Sequence, residues 1–157
     1  MSIPCDHRLR KHAEFEVVYR CGRRHFSPVL TAFYLLREIE SGSTALAKAG
    51  EGTHREGSKG ARVGITVGRA LGKATVRNRI KRRVRAAVTQ NLSRLTRPVD
   101  VVINPKEVAL EIDFNQLCSE IERAFDVIEQ KALLPSGQKA RHQRRPERRR
   151  HLAAKKI

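Results

Sequence analysis

Apolar residues recur at two intervals along this chain, and the interval changes often enough to divide it into short elements. In residues 8–20, RLRKHAEFEVVYR, Leu9, Ala13 and Val17 stand four apart, and Phe15 and Tyr19 repeat that spacing. This is the period of a helix, and Gly22 ends it. The segments RRHFSP and VLTAFYLLREI read as extended chain, a hairpin with Pro28 near the start of its second strand. In RVGITVG, Val63, Ile65 and Val67 alternate with small or polar residues, as on a half-buried strand. RPVDVVINP is a short apolar strand bounded by Pro98 and Pro105. Over 113–134, Phe114, Leu117, Ile121, Ala124, Phe125 and Ile128 form a helical stripe, with Glu120, Glu122, Asp126 and Glu129 off it. Asp113 is placed to cap this helix, and Pro135 and Gly137 end it.

Between the last two strands lies GRALGKATVRNRIKRRVRAAV, residues 68–88. From Arg69 to Arg85 it carries eight Lys or Arg and no acid. Placed on a helix from Val76 to Gln90, residues Val76, Ile80, Val84, Ala87 and Val88 share a face about 120° wide. Asn78, Arg79, Lys81, Arg82, Arg83 and Arg85 fill the remainder. One face can therefore dock on a sheet while the other holds a fixed array of cations. Thr75 is the expected N-cap, and Gly72 permits a tight entry from the preceding strand. The order helix, strand, strand, strand, helix, strand, helix predicts an α+β fold, a two-layer α/β sandwich with a small sheet. It occupies residues 1–137, with a flexible Gly/Ser-rich connection over 39–61, and is followed by a disordered basic tail over 138–157.

Charge sharpens this picture. The formal net charge is +17; residues 69–85 supply eight of it and residues 138–157 another eight, leaving one for everything else. Positive charge focused in this way points to a polyanion, nucleic acid before an anionic membrane. The apolar arc of the basic helix is built from small residues rather than the Leu, Trp or Phe of a membrane-surface helix. An ordinary solvated helix would mix signs and gain from opposite-charge pairs four apart. Arg suits phosphate because its planar guanidinium bonds two oxygens at once. Asn78 can both donate and accept, toward a ribose hydroxyl, a base edge or backbone. With little other base-reading chemistry, recognition of shape and backbone is expected. Cys5, Cys21 and Cys118 form no CxxC pattern and read as reduced thiols of a cytosol-like compartment. No apolar run is long enough to span a membrane, and the expected location is cytoplasmic.

RVGITVGRALGKATVRNRIKRRVRAAV resembles the signature of bacterial ribonuclease P protein subunits, with the Arg-Asn-Arg core at Arg77, Asn78 and Arg79. HRLRKHAEFEVVYRCGRR resembles the family's N-terminal segment and DVVINP its last strand, so the resemblance covers roughly residues 7–130. It implies a ribosomal S5 domain 2-like sandwich with a left-handed β-α-β crossover, against the usual right-handed rule. It implies a non-catalytic protein component whose catalytic RNA partner cleaves the 5′ leader from precursor tRNA with Mg²⁺, and no protein oligomer is expected. Carried over by position, Arg69, Lys73, Arg77, Asn78, Arg79, Lys81, Arg82 and Arg85 would face RNA. Phe15 and Tyr19, with Phe33 or Tyr34, would line the leader cleft. Bases stack on aromatic side chains for about 1–3 kcal/mol each, and alternation lets only one of Phe33 and Tyr34 face that cleft. Where the family usually carries Lys after the Arg of its Arg-Lys-Leu-Gly segment this chain has Ala70, so one cation of the loop is missing.

Self-sufficient catalysis finds little support. There is no HExxH and no Walker loop. Cys5, His7, His12, Cys21 and His25 fit no zinc spacing, and His12 with His25 lacks an orienting third group. The competing reading is a general structured-RNA-binding protein, ribosomal or chaperone-like, which would share the charge but need no aromatic cleft.

Overall fold

A computed structural model describes residues 2–37 and 60–133. The expected basic tail over 138–157 and the expected flexible connection, apart from Gly60 and Ala61, lie outside the described residues. The principal elements follow the predicted order: α1 (His12–Cys21), β1 (Arg23–Phe26), β2 (Leu30–Leu36), β3 (Arg62–Ile65), α2 (Ala74–Asn91), β4 (Val99–Pro105) and, after a short α3 (Val108–Glu111), α4 (Phe114–Leu133). The four-stranded sheet has the order β1-β2-β4-β3. β1 and β2 form the predicted antiparallel hairpin, β2 pairs antiparallel with β4, and β3 pairs parallel with β4. The parallel neighbours β3 and β4 are joined through α2, so the basic helix belongs to a β-α-β unit.

The two periods decide the layers. Leu30, Ala32 and Tyr34 of β2, Val63 of β3, and Val99, Val101 and Ile103 of β4 face α2 and α4. They pack on Ile80, Val84, Ala87 and Val88 and on Leu117, Ile121, Ala124, Phe125 and Ile128, the stripes read from the sequence. Asp113 begins α4 as expected, its carboxylate accepting the Asn115 N–H at 3.1 Å. The sheet's other face is covered in part by α1, where Leu9, Val18 and Val102 are buried beneath Phe15, Tyr19, Phe33 and Leu35. β4 is thus buried on both sides, which is why it reads as an apolar run rather than an alternation.

Burial also explains why α2 tolerates its charge. Like charges three or four apart cost about 0.2–0.5 kcal/mol per pair. Each fully buried Ile or Val returns about 1.5–3 kcal/mol, and Ile80, Val84 and Val88 are fully buried.

Several expectations change. Thr75 lies inside the first turn of α2, and Lys73 holds the N-cap position without a side-chain cap bond. Gly72 does make the tight entry, at φ 117°, a region other residues seldom adopt. On α1 the inward face is Phe15, Val18 and Tyr19, spaced three and four apart, while Ala13 and Val17 are exposed. Leu9 precedes the helix, in extended chain whose neighbour Arg8 bridges Val63. The short α3 has too few residues to show a period.

Candidate nucleic-acid interface

The outward face of α2 begins at the loop before it. Arg69, Lys73, Asn78, Arg79, Lys81 and Arg82 are exposed; Arg77 and Arg85 are half-buried. Among the described residues none of these cations is ion-paired with a carboxylate. They are therefore positioned by the backbone and left available for phosphate oxygens. Arg77 differs from its neighbours: its Nε is buried without a hydrogen-bond partner among the described residues. Arg83 is also different. Its guanidinium donates to the carbonyls of Leu110 and Ile112, securing the end of α3 against α2. The side chain that looked like one more surface cation is committed to the fold. Arg79, Arg82, Arg83, Arg85, Ala86 and Phe114 line an open depression of about 510 Å³ where α2 meets the start of α4.

On the opposite face of the sheet, α1 and the strands form an aromatic cleft. The Tyr19 and Phe33 rings meet edge to face, with centroids 4.7 Å apart. The Tyr19 hydroxyl donates to Asn104 Oδ1 at 2.8 Å. The Arg24 guanidinium lies 5.2 Å from the Phe33 ring centre, within cation–π range. Phe15 completes the group above Gly64, which in turn stands opposite Val102 on β4. Tyr34 does not belong to the cleft. It is 1% exposed and pairs with Val101 on the face packed against the helix pair. Alternation had left Phe33 and Tyr34 open; the β2–β4 register assigns the cleft side to Phe33.

Gly64 shows how close this packing is. A Cβ there would lie 2.5 Å from Phe15 Cε1 and 3.2 Å from Leu9 Cβ. Gly64→Ala is expected to push the Phe15 ring from the sheet and cost about 1–3 kcal/mol, as overpacking does. A urea titration of the purified variant measures it, and an unchanged midpoint would show that the ring yields freely.

The cleft is held by a charged network. Arg62 on β3 bonds both Asp100 oxygens, at 2.8 and 2.7 Å, and reaches Glu14 of α1 at 2.7 Å. Arg37 adds a contact to Asp100 at 3.0 Å. Burial alone would raise the Glu14 carboxyl. The backbone N–H groups of Arg10 and Lys11, at 3.0 and 3.1 Å, together with Arg62, outweigh burial and hold it below the ordinary carboxylate value. Arg24, Gly64, Asn104 and this network carry no signal in the hydrophobic pattern; they matter because the sheet register brings them beside α1. The two candidate surfaces meet at β3. A depression of about 230 Å³ is lined by Phe15, Gly64 and Arg10 from one side and by Lys81 and Arg85 of α2 from the other.

The residues considered for independent chemistry do not converge. His12 is exposed beside Glu16 at 3.5 Å, whereas His25 stands opposite Ala32 on the other face of the sheet. Among the described residues no group of three or more His, Cys, Asp or Glu could hold a metal ion. Cys5, Cys21 and Cys118 are free thiols. No helix among the described residues is long and apolar enough to cross a membrane.

A small mixed sheet with a cation-bearing helix between parallel strands defines a recognisable class of α+β protein. The family model described as Ribonuclease P matches residues 3–129, and the chain belongs to that family, as the protein subunit of ribonuclease P. Solved structures agree on the fold. The RNase P protein of Thermotoga maritima superposes with a TM-score of 0.60 at 23% identity, covering 78% of this chain and 97% of that one. The Staphylococcus aureus RNase P protein superposes with a TM-score of 0.59 at 20% identity, covering 78% and 95% respectively. A comparison with curated proteins found no match. Family membership makes the chain a component of a ribonuclease P complex, a partner of its RNA and a participant in tRNA processing.

Proposed function

We propose that this chain binds the catalytic RNA of ribonuclease P through the outward face of α2 and holds the single-stranded 5′ leader of precursor tRNA in the α1 cleft. Arg69, Lys73, Arg77, Asn78, Arg79, Lys81, Arg82 and Arg85 serve the first surface; Phe15, Tyr19 and Phe33 serve the second. The observation that carries this reading is the depression at β3, where Phe15 and the cations Lys81 and Arg85 line one wall-to-wall surface. A leader lying on the aromatics thus runs directly toward the RNA-binding helix. The chemistry is hydrolysis at the leader junction by the RNA with Mg²⁺. The protein neutralises phosphate repulsion between the two RNAs and adds binding that mature tRNA, having no leader, does not receive. That difference favours substrate over product. The setting is cytoplasmic, and no protein oligomer is expected.

The test is cleavage of precursor tRNA at low Mg²⁺ with protein alone, RNA alone and both together. Cleavage at the leader junction only with both is the expected result. Cleavage by protein alone would overturn the reading, and failure to assist the RNA would leave a general RNA-binding protein. Tyr19→Ala should weaken holoenzyme affinity for precursor by about 1–3 kcal/mol, one stacked base, and leave mature tRNA unaffected. Equal loss for both would remove the leader from this cleft.

A further inference from the structure

The sheet face that carries Phe33 continues toward the edge strand. The hairpin register sets Phe26 opposite Thr31, and the β2–β4 register sets Thr31 opposite Asn104. These residues form one row, beside the row of Arg24, Phe33 and Val102. Phe26 leaves 67% of its surface in solvent, although Phe is among the residues most often buried. Its position is diagonal to Phe33 across the hairpin, about 7–8 Å away. Two aromatic side chains on one face are thus close enough for bases of a single strand to stack on both.

The polar groups around this row are donors. Asn104 Oδ1 is occupied by the Tyr19 hydroxyl. Its amide nitrogen therefore presents N–H groups, with no acceptor among the described residues. Arg24 and Lys106 are exposed on either side of the row, Lys106 using one N–H on the Ser27 carbonyl at 2.6 Å. The carboxylates on this face, Glu14 and Asp100, are held by Arg62 and Arg37. An aromatic plane flanked by donors and cations suits single-stranded nucleic acid. An apolar peptide would find little here to cover.

We infer that Phe26, Thr31 and Asn104 form a further single-stranded RNA subsite that extends the Phe15–Tyr19–Phe33 cleft toward β1. One base stacks on Phe26 while the Asn104 amide donates to an acceptor on the same strand. The inference rests on the leader-binding reading of that cleft, with which the row is continuous.

The experiment measures holoenzyme affinity for precursor tRNAs whose leaders are lengthened one nucleotide at a time. Phe26→Ala is expected to lose about tenfold in affinity for long leaders, within the range of one stacked base. Short leaders and mature tRNA should bind as to the parent protein, and Phe26→Tyr should retain the long-leader affinity. Because Phe26 is largely exposed, the Ala variant should keep its thermal midpoint. If Phe26→Ala matches the parent at every leader length while Tyr19→Ala still separates precursor from mature tRNA, this subsite is wrong and the cleft stands. If Tyr19→Ala also fails to separate them, the cleft reading falls as well. A loss shared by mature tRNA would move Phe26 to the catalytic RNA. Self-association abolished by Phe26→Ala would assign it to a second copy; either result overturns the inference.

Discussion

Replacing Arg79, Lys81 and Arg82 together by alanine is expected to weaken binding to the catalytic RNA about a hundredfold at roughly 0.1 M salt, and to flatten the salt dependence. Each phosphate contact contributes a slope of about 0.7–0.9 in log affinity against log salt. Three lost contacts therefore remove a slope of about 2–3. All three side chains are exposed and free of carboxylate partners among the described residues. Alanine is the stronger helix former, so the fold should be kept. Filter binding or fluorescence titration across a salt series reads both quantities; an unchanged slope would sink the assignment of this face to RNA. Arg83→Ala gives the contrast. It strips donors from the Leu110 and Ile112 carbonyls and should cost about 1–3 kcal/mol of stability.

Asp100→Ala should destabilise the protein by about 3–5 kcal/mol, the usual result of leaving a buried charge without its partner. Asp100 is 6% exposed and serves both Arg62 and Arg37. Its removal takes from Arg62 and Arg37 the carboxylate they share beneath α1, while Arg62 keeps its contact with Glu14. Denaturant unfolding measures the loss, and a value under about 1 kcal/mol would mean that water replaces the carboxylate readily. The same network predicts acid sensitivity. Glu14 is held below its ordinary value, so the folded state binds that proton less readily than the unfolded chain. Its contribution is complete above the ordinary carboxylate range and disappears as pH falls through the lower folded value. Urea midpoints taken from neutral pH downward should decline in that window, with a smaller decline in Glu14→Gln.

The elements that the sequence determines are those whose period repeats. α2 and α4 run long enough for their stripes to be read directly, and the residues of both stripes that proved fully buried had been named from spacing alone. The Arg-Asn-Arg core and the uninterrupted positive charge mark the family and the helix proposed to face RNA for the same reason: both are local in the chain. Gly72 is legible too, because a sharp turn before a helix needs a backbone that tolerates positive φ.

What the tertiary structure alone decides is which side of a local pattern faces what. Alternation shows that Phe33 and Tyr34 point opposite ways; the pairing of β2 with β4 sends Tyr34 into the core and Phe33 to the cleft. Helical spacing on α1 fits two stripes, and packing on Val102 selects the one with Phe15 and Tyr19 and adds Val18 beside them. Arg83 is indistinguishable in sequence from its neighbours until α3 places two carbonyls against it. Glu14, Arg62 and Asp100 are far apart in the chain, and Phe26 becomes a neighbour of Asn104 only through two strand registers. Periodicity records which residues share a face of one element, whereas a site is formed between elements, where distance in sequence carries no information about distance in space.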